Sequence, residues 1–248
     1  MLLTTDGYRF EAFVERCNRL SSGQRLFEEF TAAMAVFGFD RIIFSVPRDA
    51  DLRPEDNGIG LMHNYPSDWQ AYYVEKDFAR IDPVLKAAST YHWAFRWKDI
   101  ERTHKLSARQ TRFMRLGEEA GLHNGIGVPL RGPRAQIAGV AMASSSPHDP
   151  AAPQFDLITA YCQQFYVSFK RACAPHRKPD AVVASLSRKE EEILLQVAAG
   201  RSDDQIAAML NISANTVDTH LRHIFQKLEV NNRVGAVVKA IMAGLINP

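Results

Sequence analysis

The sequence predicts an α+β chain in two parts: an α/β/α sandwich over residues 1–173 and an all-α four-helix domain over residues 186–248. Three observations predict it. The last quarter reads as four short apolar-striped helices, each opened by a capping residue. Before residue 173, amphipathic helical segments alternate with short β-branched or aromatic runs, the pattern of one sheet covered on both faces. Between the two, Ala174-Pro175-His176-Arg177-Lys178-Pro179 breaks helix continuity with two prolines and basic residues, so residues 174–185 read as a linker.

Taken in order, Phe10, Phe13, Val14, Cys17 and Leu20 form one apolar helical face, and Leu26, Phe27, Phe30, Ala33, Met34 and Phe37 a second, ended by Gly38. Residues 41–46 are β-branched and aromatic and stop at Pro47, the mark of a strand. Residues 48–57 are charged and read as a loop, and residues 58–63 resume an extended apolar run. Pro66 opens a helix carrying Trp69, Tyr72 and Tyr73. Asp82-Pro83 starts another, and residues 91–97 read as extended. Residues 107–120 are helical up to Gly121. Residues 125–130 and 136–143 read as strands joined by a turn at 131–134, and residues 155–172 as a long closing helix.

In the C-terminal part, Ser187 and Glu190 form a Ser-x-x-Glu capping box. The helix behind it buries Ile193, Leu194 and Val197 and stops at Gly200. Ser202 caps a second helix whose Asp203 and Asp204 suit its positive end, with Ile206, Ala207 and Leu210 inward. Ser213 caps a third, running to about Leu228, and Asn231-Asn232 opens a fourth. Two helices joined by a tight turn, the second free to enter a major groove, make a helix-turn-helix. Val217, Leu221, Ile224 and Leu228 form the buried stripe of the third helix. Thr216, Asp218, Thr219, Arg222, His223 and Lys227 lie off it. Arg222 can reach a guanine in bidentate fashion and the Thr219 methyl can meet a thymine. Lys227 and Arg233 suit phosphates, which position without specifying. The alternative is a solvated charged face on an ordinary helical domain.

Composition bounds these readings. Apolar content of 46% with 23% charged residues describes a soluble globular protein. The net charge of +2 does not announce nucleic acid, and residues 186–248 carry seven Lys/Arg against seven Asp/Glu. Placement, not total charge, must make any basic face. Cys17, Cys162 and Cys173 are scattered without metal or redox spacing, which suits a reducing compartment. With no signal peptide and no apolar run of membrane-spanning length, a cytoplasmic protein with no membrane partner is expected.

The C-terminal block resembles the DNA-binding domain of LuxR-type transcription regulators. The matching residues include Leu186-Ser187, Glu190, Gly200, Ile206-Ala207, Ile212-Ser213, Thr216-Val217, His220, Lys227-Leu228, Val230 and Arg233. The resemblance implies base contacts from Asp218, Thr219 and Arg222, and a dimer contact from the fourth helix over residues 234–243. Asp218 departs from the basic residue frequent at that position.

One cluster in the first part stands out: residues 64–73, Asp82-Pro83-Val84, Trp93 and Trp97, which together hold every tryptophan of the chain. Aromatic walls with a few directed donors and one carboxylate make a cavity for a neutral amide. The alternative takes Trp69 and Tyr73 as plain helix core and Asp82 as the N-cap of the next helix. Tyr65, Trp69, Tyr73, Asp82-Pro83, Trp97 and Gly127-x-Pro129 are similar in order and spacing to the autoinducer-binding domain of the same family. That resemblance implies an N-acyl- or aryl-homoserine lactone ligand and no other cofactor. Trp69 would donate to the lactone carbonyl, Asp82 accept from the amide, Tyr65 bond the acyl carbonyl, Trp97 wall the ring and Tyr73 pack on the start of the acyl chain. Ile43, Ser45, Leu61, Val84 and Leu85 would line the chain. Ala141 or its neighbour Met142 stands where many relatives have Ser or Thr, and Gln70 where some have Arg.

No Gly-x-Ser-x-Gly elbow, His-rich metal motif or glycine-rich phosphate loop is present, so an enzyme and a metal site are not expected. The expected protein is a homodimer that binds a palindromic promoter site and works with RNA polymerase. Regulation without ligand, release by ligand, or sensing of a different small molecule remains open at this level.

Overall fold

The computed structural model describes residues 9–132, 136–148, 154–173 and 185–248, in two compact units. The expected linker lies outside them except for Ser185, as do residues 133–134 of the expected turn.

The first unit is built on a five-stranded sheet: β1 (Arg41–Arg48), β2 (Gly58–His63), β3 (Phe95–Arg96), β4 (His123–Gly132) and β5 (Gln136–Ser144), in the order β2-β1-β5-β4-β3. The period-2 alternation of β1 divides its residues between two environments. Ile42, Phe44 and Val46 enter the main core under three helices, α1 (Phe10–Arg19), α2 (Gly23–Ala35) and α7 (Phe155–Cys173). There Phe165 stacks on Phe30 with ring centroids 4.6 Å apart and meets Phe44 edge-on at 4.9 Å. The buried Asp49, just past β1, accepts from the Tyr166 hydroxyl at 2.6 Å and pairs with Lys170 at 3.0 Å, which ties that end of β1 to α7.

Ile43 and Ser45 face the other way, toward four shorter helices: α3 (Ser67–Glu75), α4 (Pro83–Thr90), α5 (Trp97–Thr103) and α6 (Ala108–Glu119). The sandwich is therefore as expected. Residues 91–97 are not one extended run: only Phe95 and Arg96 pair, with Gly127 and Ile126 of β4, and Trp97 begins α5. The glycines of β4 seat both aromatic rings. A Cβ on Gly125 would sit 2.0 Å from the Trp97 ring and one on Gly127 2.4 Å from the Phe95 ring, so each ring lies flush on bare backbone.

The second unit has four helices, α8 (Arg188–Ala198), α9 (Asp203–Leu210), α10 (Ala214–Leu228) and α11 (Arg233–Ala243). Its local signals hold. Ser187 and Glu190 form the capping box, Ser202 forms a second with Gln205, and Ser213 and Asn232 cap α10 and α11. Asn211, left-handed at φ 53°, makes the tight turn between α9 and α10. Ile193, Leu194, Ile206, Val217, Leu221, Ile224, Ala236 and Ala240 form the core.

Candidate functional site

A cavity of about 1180 Å³ lies between the second face of the sheet and α3 to α6. That exceeds the roughly 300–1,000 Å³ common for small-molecule sites. Tyr65, Trp69, Tyr73, Asp82, Val84, Trp97, Ile43, Ser45 and Ala141 all line it. Gln70 and Leu85 do so as well. Of the residues grouped with them, Tyr72, Leu61 and Trp93 are among those that do not: Tyr72 packs edge-on against Phe78, Leu61 packs against the main core, and Trp93 is two-thirds exposed, stacked on Tyr91 beside a separate shallow cleft.

Asp82 is the polar centre. Its Oδ1 accepts from the Val84 and Leu85 amides at 2.7 and 3.3 Å, capping α4, while Oδ2 accepts from the Tyr73 hydroxyl at 2.8 Å. The helix cap and the cavity carboxylate are thus one residue. Burial pushes its carboxyl above the usual range, against the three bonds that favour the charged form. Burial and the neighbouring Asp82 charge raise the Tyr65 and Tyr73 hydroxyls, so both stay neutral donors. The Tyr65 hydroxyl and the Trp97 indole nitrogen are buried with no hydrogen-bond partner. A buried donor left unpaired costs about 1–3 kcal/mol, which an acceptor on a bound molecule would recover. Ser45 differs: its Oγ accepts from the Gly60 amide at 2.9 Å and is held by the sheet.

The sequence marks α6 as a helix but not as a wall of the cavity. Gln110, Phe113, Met114 and Gly117 line the cavity, Phe113 meets Trp69 with centroids 5.7 Å apart, and the Gln110 side chain donates to the Ile81 carbonyl at 3.0 Å, bracing the approach to Asp82. The signal was available, since Gln110, Phe113, Met114 and Gly117 follow i, i+3, i+4, i+7 spacing. It marks a buried face without saying what that face meets.

On α10, Thr219, Arg222, His223 and Lys227 are exposed, with Thr216 and Asp218 half-buried. Arg222 pairs with Asp218 at 2.7 Å, one turn away on the same face. Thr219 bonds back to the Asn215 carbonyl and the Thr216 hydroxyl meets the Ser213 cap. Lys227 pairs with the buried Glu190 at 2.7 Å and also reaches the Ser185 carbonyl. Arg233 pairs with Asp203 at 2.7 Å and donates to the Arg201 carbonyl. These two cations brace α8, α9 and α11 with donors that would otherwise be free for phosphate.

Residues 22–165 match the family model of the autoinducer binding domain, and residues 184–240 that of bacterial regulatory proteins, luxR family. The chain belongs to the LuxR family. It is 31% identical over 244 residues to the HTH-type quorum sensing-dependent transcriptional regulator RpaR of Rhodopseudomonas palustris, across 97% of this chain and 96% of that one. It is 27% identical over 251 residues to the transcriptional activator protein VanR of Vibrio anguillarum, across 97% and 99%. The crystal structure of Escherichia coli SdiA, 22% identical, shares the fold, with a TM-score of 0.64 over 96% of this chain and 98% of that one. This LuxR-family chain is therefore a DNA-binding transcription regulator of quorum sensing with an autoinducer-binding domain. Among the described residues no cluster of His, Cys, Asp or Glu could hold a metal ion, and no helix is long and apolar enough to cross a membrane.

Proposed function

We propose that the cavity binds a homoserine lactone bearing an acyl or aryl group, and that its occupancy controls a homodimer on a palindromic promoter site. The observation that carries this is a buried carboxylate beside an unpaired buried hydroxyl in a mostly apolar cavity. A neutral amide flanked by two carbonyls matches that set: its N–H goes to Asp82, one carbonyl to Tyr65 and the other to Trp69. Trp97 walls the ring, and Ile43, Ser45, Val84 and Ala141 surround the rest. Tyr73 takes two parts, packing on the start of the acyl group and orienting Asp82 through its hydroxyl.

In the DNA-binding unit, Asp218, Thr219 and Arg222 face base edges, with Thr216 and His223 beside them. Lys227 and Arg233 hold the helices in position and lie at the phosphate margin. One α10 reads only a few base pairs, so a two-fold dimer, joined in part through α11, doubles the contact set. Residues 1–173 form the sensor, 174–185 the linker and 186–248 the DNA-binding domain. The protein acts in the cytoplasm with RNA polymerase, without an enzymatic step and with no cofactor besides the lactone.

Thermal unfolding with straight, branched and aryl homoserine lactones tests this reading. A rise of several degrees with one of them is expected, since a ligand that binds only the native state raises stability by mass action. No shift with any lactone would reject the ligand assignment and leave the DNA-binding unit standing.

A further inference from the structure

The two faces of α6 are unlike. Its inner face, with Phe113, Met114 and Gly117, closes the ligand cavity. Its outer face carries Arg109, Arg112 and Arg115 at i, i+3, i+6 spacing, all exposed, with Lys105 just ahead of the helix. None of these four cations has an ion pair among the described residues; Glu118 and Glu119 follow at the end of the helix without pairing to them. The order of charge runs against the helix dipole. Arginine occupies the first turn, where an anion is favoured, and glutamates the last, where a cation is favoured. This arrangement does not serve the helix's own stability.

The DNA-binding unit shows the complementary shortage. Of its seven Lys and Arg residues, Arg188, Lys189, Arg222, Lys227, Arg233 and Lys239 are ion-paired with its own carboxylates, and Arg201 bonds Gln196. A regulator of DNA thus holds its unpaired, aligned cations on the sensor. We propose that the Arg109–Arg112–Arg115 face of α6 is a second DNA contact, binding the phosphate backbone without reading sequence. Guanidinium groups suit phosphate oxygens bidentately, and DNA held by the second unit is a polyanion already tethered to the first. Because the same helix walls the cavity, the cavity and the phosphate contact share one rigid element.

The test is binding of the full chain to a random-sequence duplex by fluorescence anisotropy, from 50 to 200 mM salt. Each phosphate contact contributes about 0.9 to the slope of log affinity against log salt, so R109Q/R112Q/R115Q should flatten it by about 2–3 per chain. R109K/R112K/R115K, which keeps the charge, should retain most of it. R9Q/R19Q/R25Q, which removes equal charge from exposed sites elsewhere on the sensor, should leave it unchanged. Should the triple glutamine variant fail to fold, R112Q alone is expected to lower the slope by about 1. An unchanged slope in the α6 variants overturns the proposal, and so does an equal fall in the R9Q/R19Q/R25Q control, which would reduce the effect to net charge. If DNA binding is intact but transcription by purified polymerase is lost, the face meets an acidic protein surface instead.

Discussion

Asp82→Asn separates the two duties of the cavity carboxylate. A carboxylate offers about four acceptor sites. Two on Oδ1 serve the Val84 and Leu85 amides, one on Oδ2 serves Tyr73, and one on Oδ2 remains for a ligand N–H. Asparagine caps a helix as well as aspartate does, so its single oxygen keeps α4 closed. Its NH₂ group then replaces Oδ2. The Tyr73 hydroxyl can rotate and accept from it; a ligand N–H cannot. The free protein should change by no more than about 1 kcal/mol, because the weaker bond to Tyr73 is offset by relief of the buried charge. The complex should lose about 1.5–3 kcal/mol, or roughly 10–150-fold in Kd, because a buried N–H meets a donor. Asp82→Ala should further destabilise the free protein by about 0.5–2 kcal/mol through the lost cap.

Calorimetric titration with the lactone that stabilises the wild type, beside thermal unfolding of both free variants, separates these effects. Wild-type affinity in Asp82→Asn would refute the reasoning, as would equal destabilisation of both free variants with no separate binding loss. The pH dependence has a defined sign. The Asp82 carboxyl is raised, chiefly by burial, so its contribution to stability is complete below the unfolded carboxylate range and is lost as pH rises through the folded value. Ligand affinity should move oppositely over that window, growing as the charged acceptor forms. Both trends should vanish in Asp82→Asn.

Three further outcomes are expected. Gly125→Ala places a methyl against the Trp97 ring, so it should cost about 1–3 kcal/mol in the sensor and weaken lactone binding; unchanged thermal unfolding and titration would show that Trp97 does not rest on β4. Glu190→Gln removes the carboxylate that holds Lys227 and the Ser187 amide, and should destabilise the C-terminal unit by about 1.5–3 kcal/mol. Burial raises the Glu190 carboxyl, but the bonds from Lys227 and Ser187 outweigh it and the net position is lowered. Wild-type stability from this group is thus present above the unfolded carboxylate range and fades as pH falls through the folded value, which acid titration by circular dichroism would detect. Arg222→Ala should relax base preference at a cost of about 1–3 kcal/mol, whereas Asp218→Ala, which frees Arg222 and removes a base contact, should tighten binding to random DNA and lower the preference for the specific site; equal losses for Arg222→Ala on specific and random DNA would make it a phosphate contact.

Much of the molecule was legible because its signals are local. Ser187 and Glu190, Ser202, Ser213 and Asn232 announce helix starts within three residues of themselves, and Val217, Leu221, Ile224 and Leu228 announce a buried face within one helix. The nine cavity residues were legible only through the resemblance to a family, since aromatic and carboxylate spacing alone favoured plain helix core. Trp93 was grouped with them because it is near Trp97 in the chain. Trp93 precedes β3 and stays in solvent, whereas Trp97 opens α5 and enters the cavity.

By itself the sequence determined every helix but α5, the caps of α4 and α8 to α11, and the apolar faces, all set by backbone hydrogen bonding and side-chain periodicity over a few residues. Tertiary structure alone decided how the side chains are used. Lys227 turns to Glu190 and Arg233 to Asp203, across 37 and 30 residues of chain, and α6 closes a cavity whose other walls begin at Ile43. Such pairings depend on helix crossing and strand register, which follow from packing the whole core and not from local spacing. Asp82 shows both levels in one side chain: its cap is written in the Asp-Pro that opens α4, and its place at the centre of a cavity exists only once α3, α4 and the sheet have closed around it.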